Sequence, residues 1–229
     1  MENNNLVAPA VLFDFDGTLV NSITLWIKTE LYALEKLGFY SFVSEDFVPF
    51  DGHDLGYIFD HLVAKRINEN DQEKLDKIKT DFYKLVNESV LEMIPGNVTL
   101  MPQAKETLEL FKEAGFRIAI CSNAPLDFIE TTTEYLAINN LVEKNYSAVG
   151  TGKSKPDPYI FQLAVEEMEL DKNKTIVVED SESGRIAARA AGLPVAFLAK
   201  KAIRIDEEKV FVIESLAELT PDFVLKMLS

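Results

Sequence analysis

Short, unbroken apolar runs recur along the chain, each stopped by a polar or charged residue. The first, Ala10-Val11-Leu12-Phe13, ends at Asp14, and runs of this kind predict strands buried on both faces of a parallel sheet. Four more follow the same form: Arg117-Ile118-Ala119-Ile120-Cys121, Tyr146-Ser147-Ala148-Val149, Thr175-Ile176-Val177-Val178 and Val195-Ala196-Phe197-Leu198. Val210-Phe211-Val212-Ile213 predicts an edge strand. Helical periods fill the gaps, from Gln103 to Ala114 before Gly115, from Pro125 to Leu136, from Pro158 to Met168, and from Gly184 to Ala191 before Gly192. Strand and helix therefore alternate, which predicts a doubly wound α/β sheet with ligands bound beyond the carboxyl ends of its strands.

One segment breaks the rhythm. From Ser22 to about Ile94 no strand-like run occurs, and the apolar spacing is helical throughout. The first helix carries Ile23, Trp26, Ile27, Leu31, Leu34 and Leu37 along one stripe before Gly38. A second runs from about Asp71 to Met93, with Leu75, Ile78, Phe82, Leu85 and Val86 on one side. The expected organisation is an α/β core of residues 1–20 and 96–229 interrupted by an all-helical insert, 21–95. An insert leaving directly after the first strand would hang over that strand's carboxyl end as a cover.

Composition narrows the function classes. Hydrophobic residues make up 47% of the 229 and charged residues 27%, ordinary values for a globular chain. The formal charge of −15 repels polyanions, so neither nucleic acid nor an anionic membrane is an expected partner. A small anionic substrate would need concentrated local positive charge from a metal, a lysine or helix N-termini. The single cysteine, Cys121, has no intrachain partner and reads as a small core residue. Met1-Glu2-Asn3-Asn4-Asn5 lacks the basic and apolar regions of a signal peptide, so a cytoplasmic protein is expected.

Four polar clusters sit where the sheet predicts chemistry. Asp14-Phe15-Asp16-Gly17-Thr18 follows the first strand, and the period of two in extended backbone sets both carboxylates on one side. A divalent cation would reconcile two such charges, and magnesium suits an all-oxygen site. The alternatives are an acidic loop with Asp16 or Ser22 capping the next helix, or a calcium loop, for which the glycine comes too early. Ser122-Asn123 precedes a predicted helix N-terminus, a geometry that binds phosphate as readily as it caps a helix. In Lys153-Ser154-Lys155-Pro156-Asp157-Pro158 the prolines stiffen the backbone, which either aims a lysine or makes a rigid surface turn. Glu179-Asp180-Ser181-Glu182-Ser183-Gly184 again offers acids at a strand's carboxyl end, to complete a metal's oxygen shell or to stabilise a helix N-terminus. Each bland alternative is adequate by itself, but four complementary clusters at four such ends favour a shared site.

In order and spacing the clusters resemble the four motifs of the haloacid dehalogenase-like hydrolase superfamily, across nearly the whole chain. The insert resembles the helical cap of its sugar-phosphate phosphatase and β-phosphoglucomutase subgroup. The resemblance implies a Rossmann-like core and a magnesium-dependent phosphatase acting on a small phosphate monoester, a sugar or polyol phosphate, as monomer or weak homodimer. It implies Asp14 as nucleophile, forming an aspartyl phosphate, and Asp16 as acid then base. Asp16, Gly17, Ser122, Asn123 and Lys155 would hold the phosphoryl group. Magnesium would be held by the Asp14 carboxylate, the Asp16 carbonyl and Asp180, with Glu179 reaching it through water. Asp16 also argues against dehalogenation, since family members that expel halide lack an acid there.

The insert bears on specificity. In Phe50-Asp51-Gly52-His53-Asp54-Leu55 the arginine with which β-phosphoglucomutase clamps a second phosphate is missing, and Asp51 and Asp54 would repel one. Gly52 and His53 are the candidate specificity residues. A phosphomutase remains the alternative enzyme, and a non-catalytic module that binds a phosphorylated metabolite is a third reading. Asn21, where relatives often carry aspartate, and Arg185, where an apolar residue is common, depart from the family pattern.

Overall fold

The structure is a computed structural model, and it describes residues 8–50, 53–199 and 203–229. In chain order the elements are β1 (Ala10–Phe13), β2 (Val20–Asn21), α1 (Ile23–Lys36), α2 (Ser44–Phe47), α3 (Leu55–Ile58), a π-helical turn (Phe59–Val63), α4 (Ala64–Ile67), α5 (Gln72–Met93) and β3 (Thr99–Leu100). Then come α6 (Ala104–Glu113), β4 (Arg117–Ser122), α7 (Leu126–Tyr135), β5 (Lys144–Ser147), α8 (Tyr159–Glu167), β6 (Thr175–Glu179), α9 (Glu182–Ala190), β7 (Val195–Leu198), β8 (Val210–Ile213) and α10 (Pro221–Met227). The chain divides into two compact units, one of residues up to Val20 with Leu100–Ser229, the other Asn21–Thr99.

The first unit is the expected doubly wound sheet. Six parallel strands lie in the order β5-β4-β1-β6-β7-β8, so the direction of build reverses around β1, the place where such sheets bind ligands. β1 is sealed on both faces because all four of its residues are apolar and fully buried. Ala10 and Leu12 join the core formed with α8 and α9 through Phe161, Ala164, Ala187 and Ala188. On the other face Phe13 meets Phe111 of α6 edge to face, ring centres 6.4 Å apart.

β5 differs from the expectation. It spans Lys144–Ser147 rather than 146–149, because its ladder with β4 runs from Ala119 opposite Lys144 to Ser122 opposite Ser147. Polar Lys144 and Asn145 are tolerated there since β5 is an edge strand, and Lys144 pairs with Glu167. α9 begins at Glu182, two residues ahead of the expected start, capped by Ser181, whose Oγ accepts the Gly184 N–H at 3.0 Å.

The helical unit has its own core, in which Ala33 and Leu34 of α1, Phe42, Phe47, Phe59 and Phe82 are buried together. Asp71 caps the long α5, accepting from Glu73 and Lys74 N–H. The deepest positions of α1 are Leu25, Thr29, Glu30, Ala33 and Leu34, of which Leu34 alone lies on the expected stripe, and Ile23 is exposed. Trp26, Ile27, Leu31 and Leu37 pack half-buried beside that core, so the helix buries a wide arc of its surface. No helix among the described residues is long and apolar enough to cross a membrane.

Candidate active site

The site is assembled by the ends of β1, β4 and β6 and by the stretch before α8. β1 holds Phe13 opposite Ile120 of β4 and Val178 of β6, and the Asp14 N–H extends the ladder to the Val178 carbonyl at 2.9 Å. Asp14 is thus the first residue beyond a sealed strand, and it is 7% exposed. The chain then turns sharply, with Leu19 and Val20 N–H both donating to the Phe15 carbonyl. Gly17 takes φ +87°, a backbone that favours glycine, and a Cβ on it would lie 2.4 Å from Asp180 Oδ2. Buried Thr18 donates its hydroxyl to Asp180 Oδ1 at 3.2 Å. The turn after β1 thereby seats an acid from the loop after β6.

Lys155 lies at the centre. Its ammonium has three donors, which meet Asp14 Oδ1 at 2.6 Å, Glu179 Oε1 at 2.6 Å and the Cys121 carbonyl at 2.7 Å. The residue is 6% exposed, which disposes of a solvated surface turn for this lysine. Lys153 is the exposed one, resting over the Tyr159 ring. Burial presses the Lys155 ammonium towards neutrality, but the Asp14 and Glu179 carboxylates outweigh it and hold its pKa above the ordinary lysine value.

Glu179 is fully buried as the last residue of β6. Its Oε1 receives Lys155, while its Oε2 accepts the Ser181 hydroxyl at 2.9 Å and the Ser181 N–H at 3.2 Å. Burial, with repulsion from Asp14, pushes its pKa above the usual carboxylate range against the pull of Lys155. Gly184 makes this seat possible, because a Cβ there would fall 1.8 Å from Glu179 Oε1. The capping role in this loop belongs to Ser181, which leaves Glu179 and Asp180 to the strand end.

Ser122 ends β4 with its hydroxyl accepting from Ala124 N–H at 3.0 Å and donating to Asp16 Oδ2 at 3.4 Å. It does not cap α7, whose N-cap is Pro125. Asn123 turns its carboxamide to the Lys155 backbone, accepting the Lys155 N–H at 2.9 Å. Cys121 is sealed in the core, and although Lys155 is a near cation, burial dominates and pushes the thiol up to about 12.

Among the described residues, Asp14, Glu179 and Asp180 each offer a carboxylate oxygen, and these atoms lie within 4.8 Å of one another. An all-oxygen donor set beside buried acids suits a hard divalent cation such as magnesium. Of the other sequence candidates, Gly52 lies outside the described residues, as does Asp51. His53 is in the helical unit, exposed, its ring stacked on Tyr57 with centres 4.2 Å apart. Arg185 pairs with Glu182 and Glu207, a tie on the outside of α9. Sequence reasoning passed over Thr18, Ser181 and Gly184 as supports. Their signal was a small or hydroxyl residue placed beside each acidic pair.

The model of haloacid dehalogenase-like hydrolases matches residues 11–198. The pyrophosphatase PpaX of Bacillus velezensis is 26% identical, over 96% of this chain and 93% of its own. Hexitol phosphatase B of Escherichia coli K12 is also 26% identical, over 80% and 79%. Among solved structures, a predicted phosphoglycolate phosphatase from Haemophilus somnus superposes with a TM-score of 0.78 at 22% identity, covering 97% of this chain and 98% of that one, a likeness of fold. The matched span runs from within β1 to the end of β7 and takes in all four polar loops, so the chain belongs to the haloacid dehalogenase-like hydrolase family.

Proposed function

We propose that this chain is a magnesium-dependent phosphatase of small phosphate monoesters that works through an aspartyl phosphate on Asp14. The observation that carries the reading is the meeting of Lys155 with Asp14 at 2.6 Å, both buried, beside Glu179 and Asp180 at the carboxyl ends of β1 and β6. Relatives named for pyrophosphatase, hexitol phosphatase and phosphoglycolate phosphatase activity support the reaction class.

An Asp14 carboxylate oxygen attacks phosphorus, and the bond from phosphorus to the alcohol oxygen breaks. Asp16, within reach of the Ser122 hydroxyl, gives its proton to the leaving oxygen. It then takes a proton from a water that attacks the phosphoryl group, and the Asp14 carboxylate is released unchanged. Ser122 and the Gly17 and Asn123 amides orient the phosphoryl oxygens. Lys155 offsets the charge that Asp14 and Glu179 would otherwise present to an incoming anion. Asp14 and Asp180, with the Asp16 carbonyl, would hold magnesium, and Glu179, whose oxygens serve Lys155 and Ser181, would assist from behind. When bound, the ion supplies charge neutralisation at the transferring phosphoryl group. Specificity for the alcohol is assigned to the helical unit, including Gly52 and His53. A phosphomutase is disfavoured by the acidic pair Asp51 and Asp54 in the stretch where a second phosphate would be clamped.

The test is a panel of sugar, polyol and carboxylic-acid phosphates with magnesium, followed by phosphate release. Asp14→Asn is expected to abolish turnover, and the parent enzyme quenched in acid should carry a phosphoryl adduct on the peptide containing Asp14. Magnesium-dependent turnover by Asp14→Asn, or no hydrolysis of any ester by the parent, overturns the reading.

A further inference from the structure

Lys155 lies on residues 148–158, between β5 and α8, a stretch with no helix or strand of its own. A lysine on such a stretch has a long flexible stem and would ordinarily sample many directions. Here it is gripped at both ends by the end of β4. The ammonium donates to the Cys121 carbonyl at 2.7 Å, and the backbone N–H donates to Asn123 Oδ1 at 2.9 Å. The Asn123 Nδ2 closes the pair towards the Lys155 carbonyl at a longer 3.5 Å.

The orientation of the carboxamide follows from chemistry. Turned the other way, its NH2 would face the Lys155 N–H and its oxygen the Lys155 carbonyl, donor against donor and acceptor against acceptor. The loop that carries Asn123 has no need of this side chain for its own closure. Ser122 Oγ already accepts the Ala124 N–H, and Ser147 Oγ of β5 donates to the Ala124 carbonyl at 2.7 Å. Both contacts of Asn123 instead reach a residue 32 positions away.

We infer that Asn123 is a positioning residue, whose side chain clamps the Lys155 peptide so that the ammonium is delivered to Asp14; the inference rests on the catalytic reading of that pair given above. The Asn123 backbone amide remains free for the phosphoryl role, so side chain and main chain of one residue act on different groups. Replacement of the side chain should therefore act through Lys155 alone.

A double-mutant cycle with p-nitrophenyl phosphate and magnesium tests this. Asn123→Ala is expected to lower kcat about tenfold while KM moves by less than about threefold, the size of one lost aligning hydrogen bond. In a Lys155→Ala background the same change should alter kcat by less than about twofold, because the group it aims is gone. Asn123→Asp keeps an acceptor for the Lys155 N–H and is expected to retain more activity than Asn123→Ala, whereas a side chain that touched the phosphoryl group would make the aspartate the worse variant. The Lys155 ammonium signal in a nitrogen-15 correlation spectrum gives a readout independent of turnover, and it should broaden or shift in Asn123→Ala. Additive losses in the cycle, or an ammonium signal unchanged by Asn123→Ala, overturn the clamp. If Lys155→Ala is as active as the parent, the catalytic reading of Lys155 falls instead, and the ammonium signal alone decides on the clamp.

Discussion

Glu30 is the most exposed point of the folding energetics to test. It lies in the middle of α1, 2% exposed, among the buried positions Leu25, Thr29, Ala33 and Leu34. Burial pushes its carboxyl from an ordinary 4.5 up to about 8. The folded state therefore keeps a proton that the unfolded chain releases across that interval. Stability contributed by this group is whole below pH 4.5 and falls as pH rises towards 8, by about 1.4 kcal/mol per unit. At pH 7 the loss is about 3 kcal/mol, and above pH 8 it levels at about 5 kcal/mol.

Glu30→Gln keeps the shape and removes the titration. The variant should gain on the parent as pH rises, by roughly 3 to 4 kcal/mol between pH 5 and pH 8. The fluorescence of Trp26, the chain's one tryptophan and one helical turn before Glu30, reports unfolding of the helical unit directly. Urea titrations followed at that signal, at pH 5, 6, 7 and 8, give the two stability curves, and using a local probe avoids assuming that both units unfold together. Curves that run parallel over this range would falsify the assignment of a neutral, buried Glu30.

Further outcomes concern the core. Gly184→Ala places a methyl group where the Glu179 carboxyl sits, so activity should fall by more than about a hundredfold or the fold should lose about 3 kcal/mol or more, read by phosphate release and thermal melting. Lys155→Ala removes the ammonium between Asp14 and Glu179, and a loss on the order of 2 to 4 kcal/mol in transition-state stabilisation is expected from kcat/KM. Cys121, with its thiol pushed up to about 12 by burial, should resist a disulfide reagent at pH 8 in the native protein and react only when urea unfolds it; rapid labelling of the native chain would contradict its place in the core.

Where an element is fixed by local chemistry, it is legible in the chain. β1, β7 and β8 are read residue for residue, because each is an unbroken run of four apolar residues whose two end positions are both buried. β5 slipped by two residues because it opens on polar Lys144 and Asn145, so its place is set by the ladder with β4 rather than by an apolar run. Val149, included in the apolar run, is 57% exposed beyond the last pairing at Ser147. α1 shows the same limit in helical form. Half-buried Trp26, Ile27 and Leu31 mark one side, whereas the deepest positions include Thr29 and Glu30, which polarity alone assigns to the surface.

The site divides along the same line. Its acids and serine stand at or just beyond strand ends, where a doubly wound sheet gathers side chains, and its lysine on the stretch between β5 and α8, so composition and position together point to them. Their supports work across the fold and leave a weaker trace. Nothing near Asn123 indicates that its carboxamide meets Lys155, and a small residue beside an acidic pair, as at Gly184, does not by itself indicate that its missing Cβ is the seat of Glu179. Those relations depend on the order β4-β1-β6, which brings three loops around one buried ammonium. An isolated lysine between two carboxylates would be pulled by each in turn; a lysine tied at its backbone by Asn123 and at its ammonium by the Cys121 carbonyl has one direction left, towards Asp14 and Glu179 together. The bond to Glu179 then has a consequence for Asp14. Because Ser181 and Gly184 seat Glu179, the ammonium is anchored by Glu179 and the Cys121 carbonyl, and its third bond draws the Asp14 carboxylate to that anchored point at the end of β1.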